Sequence, residues 1–289
     1  MRHTIDVNPV DGSDGEKLLN SVRDRPGVTL VFGATDTGKT TLVLQLASSL
    51  ALHGRTAIID SDVGQSSVGP PACAGACLVK GELKFPTEAE ILHFVGDFSP
   101  QGNFLPLLSG LVRLLRWAGR KGATHILVDT TGFVTGGAAL ELKYHKVELA
   151  QPRHVIILER GGELEPLVSS LRCRQDVEVH RLRVSMSATT IGADERRANR
   201  QRGLRRYLQG ASLFTMRLNP GIMLNPYSWQ EDEGDLLDRI VGLLNGQGRT
   251  LGLGVIREAD IEKETLVVQT PLASIEGVTH LRLGRIHGV

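Results

Sequence analysis

Short apolar runs alternate with amphipathic stretches along the first two thirds of the chain. Each apolar run is bounded by turn-forming residues, a pattern that predicts a buried strand. The predicted strands cover residues 28–32, 56–60, 76–79, 125–129, 155–158 and 177–184. Apolar residues at helical spacing predict helices over residues 42–50, 105–117 and 163–171. Because strands alternate with helices, we predict an α/β fold with a mainly parallel sheet and flanking helices.

The pattern changes near residue 212. A predicted helix over residues 236–244 is followed by three short β-rich runs at residues 251–257, 265–270 and 278–286. Gly, Asp and Pro separate these runs, which predicts a small antiparallel module at the end of the chain. Before the first strand, the sequence predicts only one short helix around residues 17–22. We therefore expect an N-terminal extension (residues 1–27), a core domain (28–212) and a β-rich C-terminal module (213–289).

A glycine-rich segment, GATDTGKT, lies between the first predicted strand and the first predicted helix. It matches the pattern G-x-x-x-x-G-K-[ST], in which backbone N–H groups and the helix dipole face phosphate oxygens. The lysine is expected to reach the β- and γ-phosphates, and the threonine hydroxyl to hold Mg²⁺. A glycine-rich turn that binds nothing is the alternative, which the flanking strand and helix disfavour. The predicted nucleotide-binding residues are Gly33, Ala34, Thr35, Asp36, Thr37, Gly38, Lys39, Thr40 and Thr41.

Aspartates follow two other predicted strands. Asp60 and Asp62 end the second strand, and Asp129 ends the strand at residues 125–129. The carboxyl ends of parallel strands share one edge of a sheet, so we expect these acids to converge on the phosphate-binding segment. One of the first pair is expected to act on the nucleophile, and the other to help place Mg²⁺, as is Asp129. The alternatives are a helix cap and a solvated loop acid for the pair, and a simple strand end for Asp129.

Six arginines fall within the eleven residues 196–206. In a helix, Arg196 and Arg200 share one face. Arginine presents a rigid fork to phosphate oxygens and stays charged, so a segment over about residues 193–209 is predicted to close over a triphosphate as a lid. A solvated basic helix is the alternative.

Composition sets limits on other functions. The chain has 289 residues, 41% of them hydrophobic and 22% charged, with a net charge of +1, so any basic surface must be local. Its three cysteines predict reduced thiols, and Cys73 and Cys77 are expected to be small buried residues because no second metal-ligand pair accompanies them. No membrane span or signal peptide is predicted, so we expect a cytoplasmic protein, or a nuclear one in a nucleated cell.

Taken together, these motifs resemble the polynucleotide 5′-hydroxyl kinases of RNA processing. The resemblance rests on GATDTGKT, the DSDVGQ segment at residues 60–65, the DTTG segment at 129–132 and the arginine run before Tyr207. Residues 94–103, 252–254 and 270–272 are also similar to segments of that family. The resemblance covers residue 28 to the end, and it is to the shorter microbial members, since about 27 residues are too few for the large N-terminal β domain of eukaryotic members.

The resemblance implies a P-loop kinase that moves the γ-phosphoryl group of ATP, or another NTP, to the 5′-hydroxyl of RNA or DNA with Mg²⁺. It makes Asp62 the general base, with Lys39 as the other catalytic residue outside the lid. Lid candidates are Arg196, Arg197, Arg200 and Arg205. Predicted acceptor-binding residues are Gln65, Ser99 and Phe133, the last at a position where relatives often carry a stacking tryptophan. Predicted metal-site residues are Thr40, Asp60 and Asp129, the last being asparagine in some relatives.

Two other functions are compatible with a phosphate-binding loop. The first is a partner-coupled switch ATPase or GTPase, although residues 159–162 lack the Asn-Lys-x-Asp of guanine-specific members. The second is a scaffold that binds ATP without turnover, which an intact Lys39, Thr40 and Asp62 disfavour. We expect a kinase that acts on a single-stranded 5′ end with weak sequence preference.

Overall fold

A computed structural model of the chain describes residues 5–7, 12–81, 85–185, 188–217 and 233–288. Its strands are β1 (Ile5–Val7), β2 (Gly27–Gly33), β3 (Thr56–Ser61), β4 (Cys73–Leu78), β5 (Ile91–Phe94), β6 (His125–Thr130), β7 (His154–Glu159), β8 (Glu178–Arg183), β9 (Ser212–Arg217), β10 (Arg239–Leu244), β11 (Thr250–Asp260), β12 (Thr265–Thr270) and β13 (His280–His287). Its helices are α1 (Gly12–Asp24), α2 (Lys39–Leu50), α3 (Phe104–Arg120), α4 (Gly137–Ala150), α5 (Glu165–Leu171), α6 (Ala193–Tyr207) and α7 (Glu233–Leu236).

One mixed sheet runs through the described part of the chain. Its strand order is β1-β8-β7-β2-β6-β3-β4-β5-β11-β10-β13, and β12 and β9 continue from β11. The strands from β1 to β3 in this order are parallel, whereas β4 and β5 pair in the antiparallel sense. The predicted α/β fold with a mainly parallel central sheet is therefore confirmed.

Helices cover both faces of the central sheet. Apolar residues of α1 and α2 form one cluster with the strands, and those of α3, α4 and α5 form another on the opposite face. Because both faces are covered, β3, β6 and β7 are buried along their whole length. This burial explains why these strands are uninterrupted apolar runs in the sequence.

The N-terminal segment is packed onto this core. Strand β1 pairs in parallel with β8, and Leu18 and Val22 of α1 are buried in the same cluster as the apolar residues of α2. Apolar spacing located the helix, but a strand of three residues carries too little pattern to be predicted. The segment expected to be an extension therefore adds a strand and a helix to the central sheet.

The C-terminal strands pair in the antiparallel sense, as predicted for the last module. Strand β11 meets the edge of the central sheet at β5, where Thr250 pairs with Leu92 and the Thr250 hydroxyl accepts the N–H of Phe94 at 3.0 Å. Met216 of β9 is buried in the apolar cluster of this module. The domain boundary near residue 212 stays a prediction.

The predicted helix over residues 236–244 is wrong. Residues Arg239–Leu244 form β10, and the described helix before it spans only Glu233–Leu236. Every residue of β10 is buried, because the strand lies between β11 and β13. The apolar part of this run, residues 240–244, is too short for its periodicity to distinguish a buried strand from a helix.

Cys73 and Cys77 are buried and free, as expected, and Cys173 is exposed. Among the described residues, no helix has both the length and the apolar character needed to cross a membrane.

We expect Gly75→Ala, in β4, to lower the free energy of unfolding by about 1–3 kcal/mol, because overpacking forces the backbone to shift. An added Cβ would lie 2.3 Å from the carbonyl oxygen of Val68. Gly119→Ala in α3 is the control, since its Cβ would meet no atom within 4 Å and alanine favours a helix by about 1 kcal/mol. Urea denaturation compares the variants, and a Gly75→Ala protein as stable as the parent would contradict this packing.

Candidate active site

The phosphate-binding loop connects the end of β2 to the start of α2. Asp36 and Gly38 have positive φ angles of 59° and 86°, which turn the backbone toward the N-terminus of the helix. The loop is tightly wound, because the Thr37 hydroxyl donates to the carbonyl of Ala34 at 2.9 Å. Lys39 Nζ donates to the same carbonyl at 2.7 Å. The lysine side chain therefore lies over the loop, where the sequence pattern predicts phosphates.

The candidate metal site lies where the start of α2 meets the end of β6. The Thr40 hydroxyl donates to Asp129 Oδ2 at 2.6 Å. The other carboxylate oxygen, Oδ1, is buried and has no hydrogen-bond partner among the described residues. Burial raises the pKa of Asp129 to about 6, although the charge of Lys39 and the bond from Thr40 oppose the shift. A hydroxyl beside a carboxylate with a free oxygen is a donor set that suits Mg²⁺.

Asp60 lies at the end of β3, directly beside Asp129 in the register of β3 and β6. Its carboxylate accepts the N–H groups of Asp62, Ser67 and Val68 at 2.8, 2.5 and 3.0 Å, and the Ser67 hydroxyl at 2.9 Å. Burial and the charges of Asp129 and Asp62 raise the pKa of Asp60 to about 8. These contacts make Asp60 the anchor of the loop that follows β3. Its metal role stays a prediction.

Asp62 is half-buried in that loop. Its Oδ1 accepts the N–H groups of Gly64 and Gln65 at 3.0 and 3.2 Å, so the carboxylate is held in one orientation. The Gln65 side chain donates to the backbone carbonyl of Arg196 in α6 at 3.3 Å. The loop is therefore joined to the arginine-rich helix.

Two lysines of α4 reach this edge of the sheet, and the sequence analysis missed both. Lys146 is 1% exposed, and its Nζ donates to the Ser61 hydroxyl at 2.6 Å. Ser61 in turn donates to the backbone carbonyl of Asp129 at 3.0 Å. The sequence signal was available: Lys143 and Lys146 lie three residues apart among the apolar residues of the same helix face, where a lysine needs a buried partner.

Lys143 supports the loop after β6. Its Nζ donates to the carbonyl of Thr131 at 3.3 Å and lies 4.8 Å from the centroid of the Phe32 ring. The next residue, Gly132, touches the phosphate-binding loop, since a Cβ there would lie 2.6 Å from the backbone nitrogen of Thr35. Lys143 thus holds a backbone segment that is in contact with the phosphate-binding loop.

Charges of both signs are buried together here. Burial lowers the pKa of Lys146 to about 8, and the charges of Asp62, Asp129 and Asp60 oppose that shift. Burial also lowers the pKa of Lys143, helped by the positive charges of the other two lysines. The lysines of the site are Lys39, Lys143 and Lys146. They balance three aspartates that would repel one another without them.

Helix α6 lies over the loop and begins at an ion pair. Asp36 Oδ2 accepts the N–H of Ile191 at 3.0 Å and lies 3.2 Å from the guanidinium of Arg196. The guanidinium of Arg200 lies 5.2 Å from the centroid of the Phe98 ring, and its Nε is buried without a hydrogen-bond partner among the described residues. An unpaired buried donor is costly, so Arg200 Nε is available to an anion.

Several predicted residues lie outside this cluster of contacts. Arg197 and Arg205 are exposed, as is Thr41. Ser99 lies in a turn, where its N–H donates to Asp97 at 3.2 Å, and Phe133 packs against Phe104 with ring centroids 6.2 Å apart. Their nucleotide or acceptor roles stay predictions.

Arg160, which the sequence analysis did not single out, follows β7. It donates to the carbonyls of Asp36 at 2.8 Å and Thr35 at 3.5 Å. It therefore holds the outer side of the phosphate-binding loop, but a single arginine after a strand gives no signal of that contact in the sequence.

A parallel sheet that ends in this loop, with the Thr40–Asp129 pair beside it, defines a P-loop nucleotide-binding protein. The sequence model of the mRNA cleavage and polyadenylation factor CLP1 P-loop family matches residues 33–210. The chain is also 31% identical to the polyribonucleotide 5′-hydroxyl-kinase of Pyrococcus furiosus, over 98% of this chain and 93% of that protein. The chain belongs to the CLP1 P-loop family.

Other relatives agree with this placement. The polyribonucleotide 5′-hydroxyl-kinase of Thermococcus kodakarensis is 30% identical, over 99% of this chain and 94% of that protein. A solved structure of a Clp1p–Pcf11p complex superposes with a TM-score of 0.72 at 14% identity, covering 94% of this chain and 77% of that one. At that identity the likeness shows the shared fold.

We expect Lys146→Met to lower the free energy of unfolding by about 3–5 kcal/mol at pH 7, because it leaves buried carboxylates without their cation. At pH 5 the loss should be smaller, because Asp129, whose pKa is about 6, changes from mostly charged to mostly neutral between the two pH values. Asp60, whose pKa is about 8, is mostly neutral at both. Guanidinium chloride denaturation of the parent and the variant measures the loss in free energy of unfolding at each pH.

The control for this comparison is Lys121→Met, at the exposed end of α3, which should change stability by less than about 1 kcal/mol at either pH. An equal loss at the two pH values for Lys146→Met would mean that packing, and not charge, explains the burial of Lys146.

Proposed function

We propose that this protein is an ATP-dependent polynucleotide 5′-hydroxyl kinase that acts on RNA. One observation carries the proposal: Lys39, the Thr40–Asp129 pair and the fixed carboxylate of Asp62 all lie at one edge of the sheet, beneath the arginines of α6. The archaeal relatives named polyribonucleotide 5′-hydroxyl-kinase support RNA as the acceptor. A switch ATPase that only hydrolyses its nucleotide would need Lys39 and the Thr40–Asp129 pair, but not a fixed carboxylate at Asp62.

The donor side binds the triphosphate. Backbone N–H groups of the loop and the N-terminus of α2 face the phosphates, and Lys39 exchanges its bond to Ala34 for one to a phosphate oxygen. Thr40 and Asp129 would hold Mg²⁺, as the free oxygen Asp129 Oδ1 indicates. The ion would neutralise charge on the β- and γ-phosphates.

The acceptor side activates the 5′-hydroxyl. The N–H groups of Gly64 and Gln65 hold Asp62 Oδ1, which leaves Oδ2 for the incoming hydroxyl. As the 5′-oxygen bonds to the γ-phosphorus and ADP leaves, the hydroxyl proton passes to Asp62. Lys146 of α4 interacts electrostatically with this carboxylate.

The arginines of α6 complete the site. Arg200 Nε has no hydrogen-bond partner among the described residues, and the Arg196 guanidinium lies beside Asp36 of the phosphate-binding loop. Both guanidinium groups can therefore stabilise the negative charge that develops on the transferred phosphoryl group. Arg197 and Arg205 stay candidates for the same role. Positioning and charge stabilisation then supply most of the rate, as is usual for phosphoryl transfer.

Transfer of labelled γ-phosphate from ATP to matched RNA and DNA oligonucleotides tests the proposal. We expect label on strands that end in a 5′-hydroxyl, with RNA favoured, and none on strands already phosphorylated there. Release of free phosphate without a labelled strand would refute the kinase assignment and favour a partner-coupled ATPase.

We expect Asp62→Asn to lower kcat by about 10²–10⁴, since an amide cannot accept the hydroxyl proton, while the Kd for ATP stays near that of the parent. An Asp62→Asn enzyme that keeps its kcat would remove Asp62 from the mechanism.

Arg200→Ala should lower kcat by up to about 10³–10⁵, because an arginine at the transferred group stabilises the transition state. The exposed Arg197 gives a matched comparison, and we expect the Arg197→Ala loss to be smaller. Single-turnover kinetics separate this loss from acceptor binding. A variant at Arg200 that weakens RNA binding more than it slows transfer would contradict a role over the triphosphate.

A further inference from the structure

A cavity of about 900 Å³ lies beside α6. Its walls come from residues 64–71 after β3, residues 85–92 before and within β5, one face of α6, and Leu251 and Pro271 of the C-terminal strands. It is several times larger than a water site and lies within the size range of ligand pockets. Neither the phosphate-binding loop nor Asp62 is part of its described lining, although Gly64, Gln65 and Arg200 are.

The cavity is positively charged. Arg200, Arg202 and Arg206 line it from α6, and among the acidic residues only Glu88 is part of its described lining. Helical spacing puts Arg202 and Arg206 on one face of α6, and Gly203 between them packs directly on Pro71, where a Cβ would lie 2.9 Å from the proline ring. Both arginines are exposed, and the Arg202 guanidinium also donates to the side-chain oxygen of Asn199, another residue of the lining.

Aromatic and proline side chains form part of the lining. Phe85, Pro86 and Pro271 contribute to it, and Tyr207 forms part of the wall with its hydroxyl fixed by the N–H of Leu253 at 2.9 Å. A positively charged groove that also presents aromatic side chains is the combination by which proteins bind single-stranded nucleic acid without sequence preference.

The cavity is continuous with the candidate acceptor site. Gly64 and Gln65, whose N–H groups hold Asp62, are also part of its lining. The Gln65 side chain reaches the carbonyl of Arg196 and lies at the boundary between the two spaces. A strand whose 5′-hydroxyl contacts Asp62 can therefore continue past Gln65 into the cavity.

We propose that this cavity binds the nucleotides that follow the 5′ end of the acceptor, with Arg202 and Arg206 on their phosphates and Phe85 and Tyr207 beside their bases. The proposal rests on the kinase function proposed above and adds a binding site to it. A polyanion is the ligand that three arginines and one glutamate select, and continuity with Asp62 favours the acceptor strand over an acidic peptide.

The test compares acceptors of two lengths. A dinucleotide with a free 5′-hydroxyl ends near Gln65, whereas a dodecanucleotide extends through the cavity. For the variant carrying both Arg202→Ala and Arg206→Ala, we expect KM for the dodecanucleotide RNA to rise at least about tenfold, since each phosphate contact contributes to affinity. KM for the dinucleotide, KM for ATP and kcat at saturating acceptor should stay within about twofold of the parent.

Salt gives a second readout. Loss of two phosphate contacts should reduce the slope of log Kd against log salt concentration by about 1.4 for the dodecanucleotide, at about 0.7 per contact with a single strand. Arg120→Ala, at the end of α3, removes an exposed arginine far from the cavity in the fold and should leave both measures unchanged. This control separates a local effect from a general loss of positive charge.

The outcomes are distinct. Equal KM values for the two lengths in the parent enzyme, or an unchanged dodecanucleotide KM in the double variant, would overturn the cavity assignment while leaving the kinase assignment intact. Transfer to neither length by the parent enzyme would instead refute the proposed function. If poly-glutamate competes with ATP-dependent transfer less in the double variant than in the parent, but RNA binding is unchanged, the cavity binds an acidic peptide and the proposal is wrong.

Discussion

The burial of opposite charges at the carboxyl edge of the sheet is the constraint on which the rest of this structure depends. Asp60 and Asp129 lie side by side because β3 and β6 are parallel neighbours, and Asp62 follows two residues later. Such a group of acids is unstable in a buried setting without cations. Lys146, Lys143 and Lys39 supply them from two helices. Helix α4 is therefore part of the site as much as α2 is.

This balance of lysines and aspartates lets the buried carboxyl edge of the sheet hold three acids in different environments. Both carboxylate oxygens of Asp60 accept hydrogen bonds from the loop after β3, and N–H groups of the same loop hold the carboxylate of Asp62. One carboxylate oxygen of Asp129 accepts a hydrogen bond from Thr40, and the other has no partner among the described residues. Each acid thus has a different set of partners, although all three lie close together. Their partners, and not the residue type, distinguish the loop anchor Asp60 from the proposed base Asp62 and the proposed metal ligand Asp129.

Much of this arrangement was predictable from the sequence, because the relevant signals are local. The phosphate-binding loop, the acids at strand ends and the arginine run each occupy consecutive positions, and the parallel sheet brings them together. The partner of Lys146 is not evident from the sequence, because Ser61 lies 85 residues away. The pattern of residues 236–244 predicts a helix where the structure has the fully buried strand β10, and β1 is too short to give a pattern. Long-range packing decided these cases, and single-sequence patterns do not contain it.

The contact between Asp36 and Arg196 joins the start of α6 to the phosphate-binding loop. At its other end, α6 is fixed by buried Leu204 and by the Tyr207 hydroxyl, which accepts the N–H of Leu253, so the helix is attached at both ends. A triphosphate that draws Arg196 toward its own oxygens competes with Asp36 for the same guanidinium. Nucleotide affinity and the position of this helix are then thermodynamically linked, and the linkage is reciprocal. The free energy by which nucleotide shifts the helix then equals the free energy by which the position of the helix changes nucleotide affinity.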